Sequence, residues 1–372
     1  MRTRRFGGGL GVFLVLQALF LVVPSISLLS VRPLSAAAGR VSTATGAGAA
    51  QAPAAARQPD PAAADNQGGP LTLAFAGDVH FEDFLGTRLQ TEGSSMLQPL
   101  GTLLAGADVS VVNLESAVTD RGAAESKQFT FRAPAGGLSA LRAAGVSAVS
   151  MANNHGLDYG QAGLRDSLAA AGDIGMPVLG IGLDAGEAYR PWVTTVRGRR
   201  VAVIAATQVL DDPAAWTATA AHPGVASAKD VPRLLASVQL ARSMADTVVV
   251  FLHWGIEGET CPTGDQVTLA DRLIGAGADV IVGGHAHRLQ AAGKKHGALV
   301  AYGLGNAVFY STAGPSTESG VLKVTVDGRK ILGYGWTPAR LVNGVATELT
   351  GQPARVAFDR WLSLRACSDL QS

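Results

Sequence analysis

Residues of metal-binding type follow directly after an apolar run at the start of the strongly patterned part of the chain. The run Leu71–Ala76 stops at a glycine and continues as Asp78, Val79 and His80. An aspartate and a histidine two residues apart point to the same side of an extended chain. Such a pair can ligate a metal ion at a strand end, or it can simply close a strand with a polar turn. The rest of the sequence must decide between the two.

The same placement recurs at the ends of later apolar runs. The polar residues that follow them are Asn113, Glu115, Asn153, Asn154, His155, Asp158, His253, Glu257, His285, His287 and Asn306. Five of the seven histidines lie at such ends, although histidine is neither a strong strand former nor a turn residue. Carboxylate, imidazole and amide ligands without thiolates suit Mn²⁺, Fe²⁺ or Zn²⁺. Two such ions about 3.5–4 Å apart, bridged by a carboxylate, serve displacement reactions at phosphorus. The set therefore predicts two divalent metal ions, with Asp78 and His80 among their ligands.

The elements that must position these residues alternate between β-rich and helical segments. The β-rich runs are residues 71–76, 108–114, 146–151, 177–182, 200–206, 247–254, 279–284 and 298–305. Because these runs are almost continuously apolar, we expect strands buried on both faces of an α/β layered domain. Ligands in such folds bind beyond the carboxyl ends of the strands, where the polar residues stand. Residues 313–372 change character and predict a hairpin turning at Asp327-Gly328, followed by a closing helix.

The N-terminal residues have the pattern of an export signal. Three arginines in the first five residues precede the apolar segment Gly11–Val31, and small residues follow at Ala36–Ala38. The apolar segment is also long enough to span a bilayer, although Pro24 interrupts it, so residues 1–38 are either a cleaved signal peptide or a membrane anchor. Both alternatives place the rest of the chain outside the cytoplasm. Residues 39–70, rich in Ala, Pro and Gly, predict a disordered linker.

Composition and charge exclude some classes of protein. The chain has 372 residues, of which 47% are hydrophobic and 16% charged, so it can bury a large core. Its formal net charge is only +1, and without a basic stripe no nucleic-acid partner is expected. Cys261 and Cys367 are its two cysteines, and a single disulfide between them is one option.

Several sequence blocks resemble those of a known family. They read AGDVHF, VVNLESAVTD, FTFRAP, SMANNHGLDYGQAGL, the long block from FLHWGIEGE to GGHAHRLQ, and AYGLGNAVFY. The chain resembles the CapA-type poly-γ-glutamate capsule synthesis proteins, which are related to the calcineurin-like metallophosphoesterases. The resemblance covers roughly Leu71 to Tyr310. It implies a four-layer α/β/β/α domain of that type over residues 71–312, completed by residues 313–372.

The resemblance also implies roles for individual residues. It implies metal ligation by Asp78, His80, Glu115, Asn154, His253, His285 and His287. His155 would donate a proton to the leaving group, and Asp78 would share the catalytic site with it. Many capsule proteins do not keep the histidine at the position of His80, and the phosphoesterases have an aspartate at the position of Glu115. Two departures, Gly284 for a histidine and Ala307 for an aromatic residue, concern the shape of the substrate site.

The substrate and the function class have two interpretations each. Arg132 and Asn306 are candidates for substrate binding, since the fork of an arginine suits phosphate or carboxylate, although Arg132 can equally be a solvated surface residue. One hypothesis is an exported metal-dependent hydrolase of a phosphoester or another anionic substrate. The other is a non-catalytic assembly or export component of a capsular polymer synthase, whose metal site is structural or binds the polymer. The expected partners are the anionic polymer or phosphoester, the membrane through the N-terminal segment, and other synthase subunits.

Overall fold

Two large β-sheets, each with helices on its outer face, form the body of the folded part of the protein, and two further pairs of short strands accompany them. The computed structural model of the chain describes residues 68–371. The predicted leader, and the linker as far as residue 67, lie outside the described residues and stay predictions. Within residues 68–371, no helix combines the length and the apolar content needed to cross a membrane.

The strands and helices have the following bounds. In chain order, the strands are β1 Leu71–Val79, β2 Val109–Leu114, β3 Ala117–Val118, β4 Arg132–Ala133, β5 Ala148–Ser150, β6 Val178–Leu179, β7 Ile181–Gly182, β8 Trp192–Val196, β9 Arg199–Thr207, β10 Gly224–Val225, β11 Thr247–Trp254, β12 Val280–His285, β13 Ala292–Lys295, β14 Ala298–Ala301, β15 Asn306–Val308, β16 Glu318–Asp327, β17 Lys330–Val342 and β18 Val345–Glu348. The α-helices are α1 Phe84–Glu92, α2 Gln98–Leu104, α3 Gly136–Ala143, α4 Gly160–Ile174, α5 Ala185–Ala188, α6 Pro213–Trp216, α7 Val231–Met244, α8 Gly264–Ala276 and α9 Gly351–Ser363.

The larger sheet, sheet one, has eight strands in the order β15-β18-β17-β16-β1-β2-β5-β6. Sheet two has six strands in the order β13-β14-β12-β11-β9-β8. The strands that carry the predicted site residues are parallel within each sheet: β1, β2 and β5 in sheet one, and β9, β11 and β12 in sheet two. Parallel strands end at a common edge, so each sheet presents its polar strand ends together.

The side-chain alternation along β9 shows how the layers pack. Val201, Val203 and Ala205 belong to the core cluster that joins the two sheets. Their neighbours Ala202 and Ile204 face the opposite way and pack with residues of α7 and α8. Both faces of the strand are buried, which explains why the sequence reads as a continuous apolar run. On the outer face of sheet one, helices α2, α3 and α4 supply further residues to the first cluster. The expected four-layer α/β/β/α architecture is confirmed.

The strand predicted over residues 298–305 is shorter than expected, and the chain then crosses to the other sheet. The run 298–305 was expected to be continuous, but β14 ends at Ala301 and pairs with β12, whereas β15 begins at Asn306 and pairs with β1. Between them the chain crosses from sheet two to sheet one through Gly305, which has a positive φ of 66°. Glycine adopts this conformation at little cost. The crossing carries Asn306 to the end of β1.

The C-terminal residues complete sheet one. Strands β16 and β17 form a hairpin in which Asp327 pairs with Lys330, so the turn residues are Gly328 and Arg329, one position later than predicted. Strand β16 also pairs with β1. Helix α9 follows, and a disulfide joins Cys261 to Cys367 just beyond it, with the two Cα atoms 5.6 Å apart.

Candidate metal centre

Strand register brings the site residues of sheet one together. Asp78 on β1 lies opposite Asn113 on β2 and also opposite Asn306 on β15. The backbone amide of Asp78 donates to the carbonyl oxygen of Gly305 at 3.0 Å. This close approach requires a glycine at position 77, because a Cβ there would lie 1.8 Å from the same carbonyl oxygen. The Gly-Asp pair therefore sits where the crossing chain meets the end of β1.

Asp78 connects the two sheets through its carboxylate. Its Oδ1 accepts a hydrogen bond from the side-chain amide of Asn113 at 2.8 Å, and its Oδ2 accepts one from the backbone amide of His285 at 3.0 Å. The Nδ1 of His287 lies 3.3 Å from Oδ2. Burial alone would raise the pKa of Asp78, but the hydrogen bond from His287 and the nearby histidine charges lower it to about 2. Asp78 is therefore an ionised, fully buried carboxylate.

Glu115 is the least satisfied residue of the site. It is 0% exposed, and neither of its carboxylate oxygens has a hydrogen-bond partner in the described part of the chain. Burial, together with the charge of Asp78, raises the pKa of Glu115 to about 8. An unpaired buried carboxylate costs several kcal/mol unless a cation or a hydrogen-bond donor compensates it. Among the described residues His287 is the charged neighbour of Glu115, with its Nε2 3.9 Å from the carboxylate, and no donor forms a hydrogen bond with either oxygen.

Two clusters of candidate ligands share Glu115. One consists of Glu115, His253 and His285, and the other of Asp78, Glu115 and His287, with the ligand atoms of each cluster within 4.8 Å of one another. A carboxylate common to both is in the position of a bridging ligand between two cations. The donors are imidazoles and carboxylates, which suit borderline divalent metals. The residues present therefore fit the expected divalent metal, while its identity and number stay predictions.

The pKa values of the histidines at the end of sheet two are shifted in different directions. Burial lowers the pKa of His253 to about 4, and burial with the neighbouring charges of His253 and His287 lowers that of His285 to about 2. For His287, burial opposes the charge, but the carboxylates of Glu115 and Asp78 raise its pKa to about 10. Neutral imidazoles are the form that binds metals. The unpartnered Nδ1 of His285 is a further open ligand position.

Two residues of the metal centre have strained backbone conformations. His285 and His287 have positive φ angles of 89° and 51°, which non-glycine residues rarely adopt. Such conformations persist only where the surroundings fix them, and they are frequent at functional sites. Here the amide of His285 is held by Asp78, and the Nδ1 of His287 lies 2.8 Å from the Oδ1 of Asn306.

Asn154 and His155 lie beside Glu115 at the end of β5. The Oδ1 of Asn154 lies 2.7 Å from the Nε2 of His253, which itself lies 3.4 Å from Glu115. The Nε2 of His155 lies 3.9 Å from Glu115. His155 therefore faces the shared carboxylate directly. Asn154 is linked to the same carboxylate through His253, a residue of sheet two.

A proton-handling group is built around His155. Its Nδ1 lies 2.5 Å from Asp158, and the other oxygen of Asp158 lies 2.6 Å from the Nζ of Lys127. The ring of His155 stacks on Phe131, with centroids 3.9 Å apart, and the backbone amide of Phe131 donates to Asp158 at 2.6 Å. A histidine oriented by a carboxylate in this way can hold and deliver a proton at Nε2.

His80 lies apart from both ligand clusters. Its two ring nitrogens face backbone amides, that of Glu82 at 3.1 Å and that of Tyr310 at 3.3 Å. Its ring stacks on Phe131 at 4.5 Å and contacts Phe309 edge-on at 4.2 Å. In this arrangement His80 packs within an aromatic group that supports His155, while its role as a metal ligand stays a prediction.

The two predicted substrate residues are placed differently. The guanidinium of Arg132 lies over the ring of Tyr159, 3.8 Å from its centroid, and its buried Nε has no hydrogen-bond partner in the described residues. Both polar ends of the Asn306 side chain are occupied, by His287 at 2.8 Å and by the carbonyl oxygen of Ser316 at 2.9 Å. Asn306 therefore orients His287, and Arg132 keeps donor capacity near the site.

Three residues of the site received no role from the sequence. Asn113 holds Asp78 and also lies 3.2 Å from the Nδ1 of His253. Asp158 stands three residues after His155, a spacing that could have signalled the pair. Lys127 lies in a loop with no motif around it, and only the fold brings it to Asp158. The structure also gives a reason for Gly284, because a Cβ there would lie 2.3 Å from the Oδ1 of Asp78.

Comparison with known proteins gives the family. The model of the family described as "Bacterial capsule synthesis protein PGA_cap" matches residues 72–311. The chain belongs to this capsule synthesis family. The expectation drawn from the sequence blocks is thereby confirmed.

Individual relatives share only part of their sequence with this chain. The capsule-family chain is 28% identical over 243 residues to the PGA biosynthesis protein CapA of Bacillus subtilis, covering 64% of this chain and 63% of that protein. It is 35% identical over 177 residues to the capsule biosynthesis protein CapA of Bacillus anthracis, covering 46% and 42% respectively. It thus matches less than two thirds of the length of these relatives. Among solved structures, a hypothetical protein from Thermus thermophilus has a TM-score of 0.46 and 18% identity, covering 73% of this chain and 100% of that one.

Proposed function

We propose that this protein is an exported, membrane-tethered member of the capsule family that hydrolyses an anionic substrate, of the phosphoester class, during synthesis of a poly-γ-glutamate-type polymer. The single observation that carries the proposal is the position of Glu115, fully buried, without a partner and shared by two clusters of ligand residues. The polymer class follows from the names of the relatives, which refer to PGA and capsule biosynthesis.

The residues divide into ligands and proton-handling groups. Asp78, Glu115, His253, His285 and His287 would hold the divalent metal, with Asn154 beside His253. Bound there, the metal would supply Lewis-acid polarisation of a phosphoryl oxygen and lower the pKa of a water nucleophile.

His155 lies beside this group, with its Nε2 3.9 Å from Glu115. Asp158 fixes its Nδ1, so its Nε2 is the atom that would deliver a proton to the leaving oxygen. Phe131 covers the ring of His155 and excludes water from that side. Lys127 pairs with the second oxygen of Asp158, which keeps the carboxylate oriented.

The experiment is metal analysis of the purified protein, followed by assays of phosphomonoester and phosphodiester hydrolysis with Mn²⁺, Fe²⁺ and Zn²⁺. Polymer output should be measured in parallel in cells that carry the wild type or Glu115→Ala. We expect bound metal, turnover, and loss of both turnover and polymer in the variant. A fully metallated protein that hydrolyses neither class of ester would contradict the hydrolase proposal.

One observation favours the second candidate function, a non-catalytic assembly component. His80, which the metallophosphoesterase pattern assigns as a ligand, is outside both clusters and faces backbone amides. A site with fewer ligands on one metal would bind an anionic polymer without turning it over. In that case His155→Ala would leave polymer output unchanged, whereas a variant without residues 1–38 would lose it.

A further inference from the structure

A second cavity, separate from the metal centre, lies between strands β16 and β17 and helix α9. Its volume is about 440 Å³. The indole rings of Trp336 and Trp361 stack at its base with centroids 5.4 Å apart and planes at 11°, and both side chains are buried. Val356, on the lining face of α9, is 61% exposed at its edge. The cavity therefore offers an apolar, aromatic base that is open to solvent.

The charged residues around this base are mostly arginines. Arg288, Arg340 and Arg360 line the cavity, together with one acid, Glu318. Arg360 pairs with Glu318 at 2.6 Å. Neither Arg288 nor Arg340 forms an ion pair with any residue of the described part of the chain, and Arg288 only donates to the carbonyl oxygen of Gly258 at 3.3 Å. Two guanidinium groups thus remain available to a ligand that carries carboxylates.

The cavity shares a wall with the metal centre. Arg288, which lines the cavity, directly follows His287 of the ligand cluster. On the other side, the hydroxyl of Ser319 lines the cavity and donates to the backbone oxygen of Asn306, whose side chain contacts His287. A single layer of residues would therefore separate a ligand in the cavity from the candidate metal ligands.

The disulfide connects the two edges of the cavity. Cys261 follows Thr260, and Cys367 lies three residues after Leu364, and both Thr260 and Leu364 line the cavity. The bond therefore fixes α9 against the loop after β11. A cavity held open in this way loses less conformational entropy when a ligand binds.

We propose that this cavity binds a segment of a γ-linked glutamate chain, with its carboxylates on Arg288 and Arg340 and its methylene groups on the Trp336–Trp361 base. Each repeat of such a chain carries one free α-carboxylate and has two methylene groups in its backbone, so it matches an apolar base bounded by guanidinium groups. The identity of the polymer rests on the proposed function, whereas the binding of a carboxylate-rich chain rests on the cavity alone. The cavity would hold the polymer next to the metal centre.

The test is binding of a short γ-linked glutamate oligomer to the full-length protein, measured by calorimetry and by Trp fluorescence. Arg340→Gln and Arg288→Gln should each weaken binding about tenfold, because hydrogen bonds to charged groups contribute that much. The matched control is Arg355→Gln, which changes an exposed arginine of α9 that does not line the cavity. It should leave affinity within about twofold.

A second pair of variants tests the apolar part without touching the core. Val356→Asp adds a negative charge at the cavity edge and should weaken binding about tenfold, as expected for the loss of a charge-assisted contact. Val342→Asp makes the same change at another exposed valine, 52% exposed and outside the cavity, and should have no effect. Both positions are exposed, so neither variant should unfold the protein.

The ligand controls decide the chemistry. A γ-linked isoglutamine oligomer, in which a carboxamide replaces each free α-carboxylate, has the same backbone without the charges and should not bind. Equal or tighter binding of an α-linked glutamate oligomer would overturn the γ-linked assignment, and equal losses in Arg355→Gln would overturn the cavity as the site. The oligomer should still bind protein treated with a chelator. Loss of ester turnover with retained binding would contradict the proposed function alone, and turnover without binding would contradict this inference alone.

Discussion

The carboxylate of Asp78 in sheet one accepts a hydrogen bond from the backbone amide of His285 in sheet two, at 3.0 Å and across 207 residues of chain. To make this bond His285 adopts a φ angle of 89°. The contact joins the polar ends of the two sheets where the candidate ligands gather.

Gly284→Ala should damage the junction by steric overlap. A Cβ at residue 284 would lie 2.3 Å from the Oδ1 of Asp78, so the carboxylate must move. Forcing an extra carbon into a packed site costs about 1–3 kcal/mol, and the variant should also lose bound metal. Denaturant unfolding and metal analysis check both effects. Gly172→Ala, in α4 with open space around the new Cβ, is the control and should be neutral or more stable by up to about 1 kcal/mol. Equal behaviour of the two variants would contradict the prediction.

Removal of single ligands should abolish stabilisation by metal. Asp78→Ala and His285→Ala should lose most bound metal, because each removes a member of one ligand cluster. For wild type, metal at 100 times its Kd should stabilise the folded state by about 2.7 kcal/mol. His296→Ala, at an exposed histidine away from both clusters, should behave as wild type. Thermal unfolding with and without Mn²⁺ or Zn²⁺ measures the difference, and a wild type that gains nothing from metal would refute the site.

Ionisation of Glu115 should lower the free energy of unfolding of the metal-free protein as the pH rises from about 4.5 to 8. The net fall should appear above about pH 6.5, because the lowered pKa values of His253 and His285 act in the opposite direction below it. The folded-state pKa of Glu115, about 8, lies above its ordinary value of 4.5. Its contribution to stability is therefore fully present below pH 4.5 and is lost as the pH rises through 8. Glu115→Gln should show a smaller loss across this window. Some loss of unfolding free energy with rising pH remains in this variant, because the pKa of His287 is also raised and acts in the same direction. Superimposable pH profiles of wild type and variant would contradict the assignment.

His155→Ala should separate proton donation from metal binding. The variant should keep its metal, because His155 belongs to neither ligand cluster. Loss of a general acid lowers the rate by roughly 10²–10⁴-fold for a poor leaving group. The loss should be smaller for a nitrophenolate, which leaves without protonation. Asp158→Asn, which leaves the ring in place but removes its orienting carboxylate, should give a loss in the same direction. Equal losses for good and poor leaving groups would rule out a donor role.

Protease added to intact or wall-stripped cells should digest the part of the chain beyond Leu71. The reason is the arginine-led apolar segment within residues 1–38, which has the pattern of an export signal and is predicted to direct the rest of the chain outward. An antibody against the C-terminal helix would follow the digestion, with a cytoplasmic protein as the control for lysis. Protection of this part until the cells are lysed would place it in the cytoplasm.

Local pattern was enough to predict the layered fold and the edge at which the site lies. The strand predicted over residues 247–254 has the same bounds as β11, because a strand buried on both faces must be apolar at almost every position. The placement of His253 at its end followed from the same pattern. Where the prediction was wrong, as for the run 298–305, the chain leaves one sheet for the other. The local amino-acid composition does not indicate where the chain crosses from one sheet to the other.

Residue types and spacing in the sequence by themselves determined the α/β layers, the family, and the kinds of side chain at the strand ends. Only the tertiary structure decided which of these side chains meet. It left Glu115 without a partner between two clusters, turned His80 toward backbone amides, and brought Lys127 to Asp158. These outcomes depend on strand register and on contacts between residues far apart in the chain. A pattern read within a short window contains preferences for strand or helix, but it does not contain the distances across the sheets.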